Sequence, residues 1–300
     1  MSLFPRSSTT PTVDSITEAL FSQIMSVMGQ KRPNLLTSCL RPLFLVPVRR
    51  MSKLLVEFDR NIAQIGFTTS VSQFLGHFAN HLEITGKPTI PNQGPLMVIC
   101  NHPAAYDVLI LAAAIGREDL KVIASDIQLV QMLPHIADHS IPVPYHIPAR
   151  LQTVRSSITH LKNGGALFLF PRGNVEPDPA VSPGAEQSFA GWSPSIELFL
   201  RSVPETLSVV AIASGVLSAK WFKNPIIKLW KKYEQRQKVA EVFQIASELL
   251  TGKEPSATPL LSFSPPLTID QLGGVSAPDG ILLESLISQA CSLLVTHPHV

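Results

Sequence analysis

The stretch Val98–Asp107, VICNHPAAYD, decides how this chain folds. A short apolar run, Met97 to Cys100, stops abruptly at Asn101-His102. Asp107 follows the histidine by five positions, and a second apolar run, Val108 to Ile115, begins there. The pattern predicts a buried strand, a sharp turn and a helix, with a histidine and a carboxylate held at the turn. On a regular helix, residues five apart point about 140° from each other. The pair therefore meets best with His102 on the loop and Asp107 near the helix start. Pro103 fits a first helical turn, where proline is favoured. Two readings stand open on these ten residues. One is a general-base histidine oriented by an aspartate. The other is a capping aspartate beside an incidental loop histidine.

The apolar fraction of 45% supports a large core, and 300 residues allow one large α/β domain or two smaller ones. Charged residues make up only 15% and the net charge is +2, which argues against a nucleic-acid binder working through global charge. Cys39, Cys100 and Cys291 are far apart and in no metal-ligand spacing, so they read as reduced thiols in a cytosolic setting. No run reaches the roughly 18–20 apolar residues of a membrane span. Leu35–Val48 is broken by Arg41, Pro42 and Pro47, and Leu96–Ile115 by the His/Asp stretch. The opening MSLFPRSSTTPTVDS has no apolar core of a secretory signal and reads as a disordered tail.

Outward from the central stretch, the first part of the chain has helical spacing. Ser15-x-x-Glu18 predicts a capping box opening a helix through about Met28. Arg49–Ile65 and Ser70–His81 predict two more helices, with the apolar, proline-broken Leu35–Val48 before them. This segment is expected to pack on the rest or to lie partly in a membrane interface. From Leu82 onward, strands and helices alternate. Strands are predicted at Leu82–Thr85, Leu96–Cys100, Lys121–Ala124, Ile141–Val143, Ala166–Phe170, Leu207–Ala213 and Leu260–Phe263. Helices are predicted at Asp107–Ile115, Gln128–Leu133, Arg150–Leu161, Ser195–Ser202, Ile226–Leu250 and Gly280–Val295. Such alternation predicts an α/β fold: a mostly parallel central sheet flanked by helices, with an N-terminal helical segment. Ligands in such sheets sit at the carboxyl ends of strands. His102 and Arg172 each stand just past such an end, so one crevice can hold both.

His102-Pro-Ala-Ala-Tyr-Asp107 matches the HX4D signature of the glycerolipid (lysophosphatidate-type) acyltransferases. Ile84 to Pro103 resembles that family's approach to its Asn-His. Asn163-Gly-Gly-Ala-Leu-Phe-Leu-Phe-Pro-Arg-Gly173 resembles the family's Phe-Pro-Glu-Gly block at the acceptor phosphate. Val209–Ile212 stands where the family has its last strand motif. The resemblance covers roughly Glu83 to Val216 and departs in two places. Arg172 replaces the family's glutamate and Asn174 its usual threonine, with Glu176 four residues on. The family's arginine after the strand at Ile141–Val143 is missing, and His146 and Arg150 are not at its place. A guanidinium at 172 can bind phosphate bidentately and so restore the lost affinity.

The resemblance implies an acyltransferase that moves a fatty acyl group from a thioester to a hydroxyl in phospholipid synthesis. His102 is then the base and Asp107 its orienter, with Asn101, Arg172, Gly173 and Asn174 on the acceptor side. Asn101 and the backbone N–H groups at the start of the following helix are candidate oxyanion or phosphate donors. Direct attack by the hydroxyl needs no serine or cysteine nucleophile, and the chain has no G-x-S-x-G elbow. The expected partners are acyl-CoA or acyl-carrier protein as donor, a lipid or glycerol-phosphate acceptor with lysophosphatidate foremost, and a membrane surface. No cofactor, metal or nucleic acid is expected. The expected location is cytoplasmic, peripheral on the cytosolic membrane face. The expected organisation is a disordered tail over 1–14, helices over 15–81 and an α/β acyltransferase domain over 82–300.

Rival readings remain. One is an acyltransferase with a non-phosphate lipid acceptor, and another a non-catalytic lipid-binding relative. His77-x-x-x-His81 and His135-x-x-x-His139 have a metal-ligand spacing but lack the glutamate of a zinc-protease motif. Lys220–Lys238 is basic and carries Trp221, Phe222, Trp230 and Tyr233. It suits an anionic membrane surface or donor phosphates, or equally a solvated helix face with its aromatics in the core.

Overall fold

The computed structural model describes residues 11–30, 35–79, 81–85, 90–125 and 127–298. Residues 1–10 of the expected tail lie outside these. The chain opens on α1 (Val13–Val27), α2 (Leu35–Ile65) and α3 (Phe67–Leu75). It continues through β1 (Glu83–Thr85), β2 (Leu96–Cys100), α4 (Asp107–Ile115), β3 (Lys121–Ser125), α5 (Gln128–Gln131), α6 (Pro134–Asp138) and β4 (Ser140–Val143). Then come α7 (Arg150–Lys162), β5 (Ala166–Leu169), α8 (Ser195–Ser202), β6 (Leu207–Ser214) and α9 (Ala219–Phe222). The chain ends with α10 (Tyr233–Thr251), β7 (Leu260–Phe263) and α11 (Ile281–Thr296).

The seven strands form one sheet in the order β1-β7-β6-β2-β5-β3-β4. All neighbours are parallel except β6 and β7, so β1 and β7 run against the rest. This is the mostly parallel α/β sheet that the alternation of elements predicts. The central strand β2 is buried on both faces. Successive side chains of a strand point to opposite faces. Leu96, Val98 and Cys100 therefore join one core with α3 and α4, while Met97 and Ile99 join another with α8 and α11.

Four local expectations are corrected. The first capping box uses Thr12 and Ser15 rather than Ser15 and Glu18, and α1 starts at Val13, inside the stretch assigned to the tail. Thr12 is extended and its hydroxyl takes the Ser15 amide, which leaves Glu18 free to pair with Arg41. Pro42 and Pro47 do not end a helix; α2 runs through both. Two backbone N–H donors are lost there, but Phe44 and Val48 are buried against α1, α9 and α10 and hold the helix in place. Third, α3 begins at Phe67 and stops at Leu75. Glu118 caps its first turn by accepting from the Phe67 and Thr68 amides. Finally, the long helix read from Ile226 starts only at Tyr233, after α9 and a short 3-10 turn at Ile227–Leu229. No glycine or proline marks that break. Trp230 and Lys232 are extended, and Trp230 bonds the Met28 carbonyl while Tyr233 bonds Ser182. Tertiary contacts thus override a continuous helical pattern.

A candidate active site at the carboxyl end of the sheet

β2 and β5 lie side by side and parallel, so the loops leaving their carboxyl ends share one edge. His102 leaves β2, and Phe170 to Glu176 leave β5. Asp107 is the first residue of α4, and Pro103 lies before the helix rather than in its first turn. His102 Nδ1 is 3.0 Å from Asp107 Oδ2 and 3.2 Å from Oδ1. Asp107 is wholly buried, while 19% of the His102 side chain remains exposed. Acceptor-only carboxylate oxygens on Nδ1 set the tautomer: Nδ1 carries the proton and donates, leaving Nε2 with its lone pair. Phe170 stacks on the imidazole at 3.9 Å between centroids and fixes the ring plane.

Burial disfavours a charged His102, but Asp107, and more weakly Glu241 and Glu176, outweigh it and raise the imidazole above its ordinary value. Burial also pushes Asp107 up, with the imidazole and the Ala104 and Val108 amides pulling the other way. A neutral imidazole with an open Nε2, seated on a buried carboxylate, can take a proton from a hydroxyl and hold the resulting charge.

The second loop grips the first. Glu176 is fully buried and its Oε2 accepts from the His102 amide at 3.0 Å. Its own amide donates to the His102 carbonyl at 2.7 Å. Ser188 and Trp192 donate to its other oxygen. Asp178, also buried, accepts from Ala180, Gly215 and Leu217, and burial pushes its carboxyl up to about 6. It ties the same loop to the end of β6.

A third element, α10, buttresses both loops. Glu241 accepts from the Ala105 amide at 2.9 Å and the Tyr106 amide at 3.3 Å, and burial drives its carboxyl up to about 7. Gln237 donates to the Pro103 carbonyl and, at 2.7 Å, to that of Glu176, so one amide nitrogen spans the two loops. Glu234 accepts from Arg172 at 3.2 Å and from Asn174 at 2.8 Å. Lys238 donates to Asn174 at 2.9 Å.

The expected site residues thus divide. His102 and Asp107 meet. Arg172 and Asn174 share one carboxylate on α10. Gly173 has φ +66, which glycine tolerates and other residues adopt rarely, and a side chain there would meet nothing within 4 Å. Asn101 is 1% exposed and clamps β2 to β6, donating to the Ala213 carbonyl and accepting from its amide. The amides before α4 are likewise committed internally: Asp107 takes that of Ala104, and Glu241 takes those of Ala105 and Tyr106. The expectation that they face an oxyanion is corrected accordingly. Arg150 bonds the Pro144 carbonyl. His139 stacks on Phe67 and bonds the Leu120 carbonyl. Among the described residues no group of three or more His, Cys, Asp or Glu forms a metal site.

The residues that sequence reasoning missed are Glu234, Gln237 and Glu241. Their signal was present, since polar residues at 234, 237, 238, 241 and 244 repeat every three or four positions along α10. Their neighbours Lys232 and Lys238 read from the sequence as a membrane-facing, phosphate-facing or solvated surface, which gives no sign that this polar face packs on the two loops.

Residues 81–190 match the family model for acyltransferases. That stretch is therefore similar to an acyltransferase domain over a little more than a third of the chain. That span contains His102, Asp107 and the loop from Phe170 to Glu176, whereas α10, which buttresses both loops, lies beyond it. Among solved structures, the chain is similar to the 1-acyl-sn-glycerophosphate (LPA) acyltransferase PlsC from Thermotoga maritima, at 13% identity and a TM-score of 0.40, over 93% of this chain and 95% of that one. No curated protein matches the sequence.

Proposed function

We propose that the protein transfers a fatty acyl group from acyl-CoA or acyl-carrier protein to a hydroxyl of a glycerol-phosphate-type acceptor, lysophosphatidate first among them, in phospholipid synthesis. The observation that carries this reading is the His102–Asp107 pair: a 3.0 Å contact, a sealed carboxylate and an exposed imidazole edge at the end of β2. His102 Nε2 takes the proton of the attacking hydroxyl. Asp107 holds the tautomer and shares the imidazolium charge. The hydroxyl oxygen attacks the thioester carbonyl, and the thiolate leaves with the proton from His102. Arg172 and Asn174 stand on the acceptor side, where a phosphate would find a guanidinium and an amide N–H. Gly173 leaves open space beside them.

Thiol release from acyl-CoA, measured with glycerol 3-phosphate, lysophosphatidate and a non-phosphate acceptor, tests the reading. Release is expected with a phosphate-bearing acceptor and should fall at least a thousandfold in His102→Ala. Release unaffected by that change, or none with any acceptor, would sink it.

The same reading puts the chain peripherally on the cytosolic membrane face, with the exposed part of α2 and the segment 219–232 near the lipid. Among the described residues no helix is long and apolar enough to cross a membrane. Leu43, Val46, Ile226 and Leu229 are exposed apolar side chains. Phe44 and Trp221 both pack on Phe243, which brings the outer turn of α2 near this second segment. Lys220, Lys223, Lys228 and Lys231 add positive charge. Each lysine near an anionic surface is worth about 1 kcal/mol. Cosedimentation with phosphatidylglycerol vesicles but not phosphatidylcholine vesicles is expected, and equal recovery with both would refute this charge-based docking.

A further inference from the structure

A cleft of about 610 Å³ opens between α1, α5 and the start of α10. Glu234, Lys232 and Lys238 line it. Two of these, Glu234 and Lys238, also bond Arg172 or Asn174 of the second loop. Glu234 presents two oxygens to two different donors: Oε1 to Arg172 Nη2 at 3.2 Å, and Oε2 to Asn174 Nδ2 at 2.8 Å. Lys238, one turn along α10, reaches the Asn174 side-chain oxygen. Arg172 thus pairs with this carboxylate, Lys238 bonds its neighbour Asn174, and Lys232 lines the same cleft.

A phosphate monoester needs the same things this carboxylate has: a guanidinium, a neutral N–H donor and surplus positive charge. Glu234 fills that place from within the protein. Its side chain is 39% exposed and that of Arg172 is 30% exposed, so the pair is screened and weak enough to be exchanged.

We propose that Arg172 and Asn174, at the side of this cleft where Glu234 reaches them, form an anionic-headgroup site and that the Glu234 carboxylate is its resident occupant, displaced when a phosphate monoester binds them. Glu234 then sets acceptor selectivity by competition. A neutral acceptor cannot replace the charge that Arg172 loses on leaving Glu234, whereas a dianionic phosphate can. The partner contributes an opposing cost as well as an attraction, and selectivity follows from the difference. This proposal rests on the phosphate-acceptor reading above and adds the residue that regulates it.

The test uses the full chain, with calorimetric binding of glycerol 3-phosphate, inorganic phosphate and glycerol to the wild type, Glu234→Gln and Arg172→Ala. Glu234→Gln keeps the size of the side chain at a half-exposed position and removes its charge. It should bind glycerol 3-phosphate and inorganic phosphate about two- to fivefold more tightly than wild type, the range expected from freeing an exposed pair. Arg172→Ala should bind both more weakly than wild type. Glycerol affinity should not change in either variant. Binding by Glu234→Gln that equals or falls below wild type would overturn the proposal, because Glu234 would then be positioning Arg172 rather than competing for it. Failure of the activity reading is separable: phosphate binding with these shifts but no His102-dependent thiol release would leave the anion site standing and remove the enzyme assignment.

Discussion

The loops leaving β2 and β5 lie side by side, yet they are held in different ways. In the first, the reacting groups are fixed by buried partners: Asp107 beneath His102, and Glu241 on the Ala105 and Tyr106 amides. In the second, Glu176 and Asp178 are equally buried, but the outward side chains Arg172 and Asn174 meet a half-exposed carboxylate. Buried hydrogen bonds are costly to break because each group left unpaired forfeits its solvation. Exposed ion pairs exchange readily. The first loop is therefore built to keep one geometry. The second has a rigid base and an adjustable rim, which suits a part that distinguishes substrates.

The strongest way to break this contrast is at the buried carboxylate. Asp107→Asn keeps the volume and burial of the side chain but removes the charge beneath the imidazole and offers Nδ1 an N–H where it needs an acceptor. The tautomer then inverts, and Nε2 no longer presents a lone pair to the hydroxyl. Loss of about 10³- to 10⁴-fold in kcat is expected, with the KM for both substrates little changed. A fall of less than tenfold would mean that Asp107 only caps α4. The Glu234→Gln shift of two- to fivefold is much smaller, as expected for a rim group.

The same contrast explains what could be read from the sequence. β2, β5 and β6 were legible because buried parallel strands are uninterrupted apolar runs, and the HX4D spacing placed His102 and Asp107 together correctly. Asn101 was misread because nothing in its position shows that both ends of its amide are taken by Ala213 on another strand. The amides before α4 were misread for the same reason, since Glu241 lies 136 positions away from Ala105 in the chain. Local spacing shows which groups a turn offers. It does not show which distant carboxylate has already claimed them. The break before Tyr233 belongs to the same class, because the bonds that pull Trp230 and Tyr233 apart go to Met28 and Ser182.

Glu241 allows a finer probe, through pH. Its carboxyl is raised from 4.5 to about 7, so the folded protein disfavours its charged form. The stability it contributes is fully present below pH 4.5 and is lost as pH rises through about 7. A shift of this size corresponds to about 3 kcal/mol. Asp178, raised to about 6, and His102, also raised, lose stability in the same direction as pH rises. Glu241→Gln removes one of these contributions and leaves the other two. The drop in Tm between pH 5 and pH 8 should therefore shrink by about 5 °C in the variant. Activity supplies an independent readout. His102 must be neutral to act as a base, so the rate falls as pH drops through its folded value, which lies above 6.5. The Glu241 charge helps to raise that value, after Asp107 and alongside Glu176. Its removal should move the acid limb of the rate profile to lower pH while the KM for acceptor stays put. An acid limb that does not move, together with an unchanged Tm difference, would show that Glu241 is neutral throughout and acts on the first loop only as a hydrogen-bonding strut.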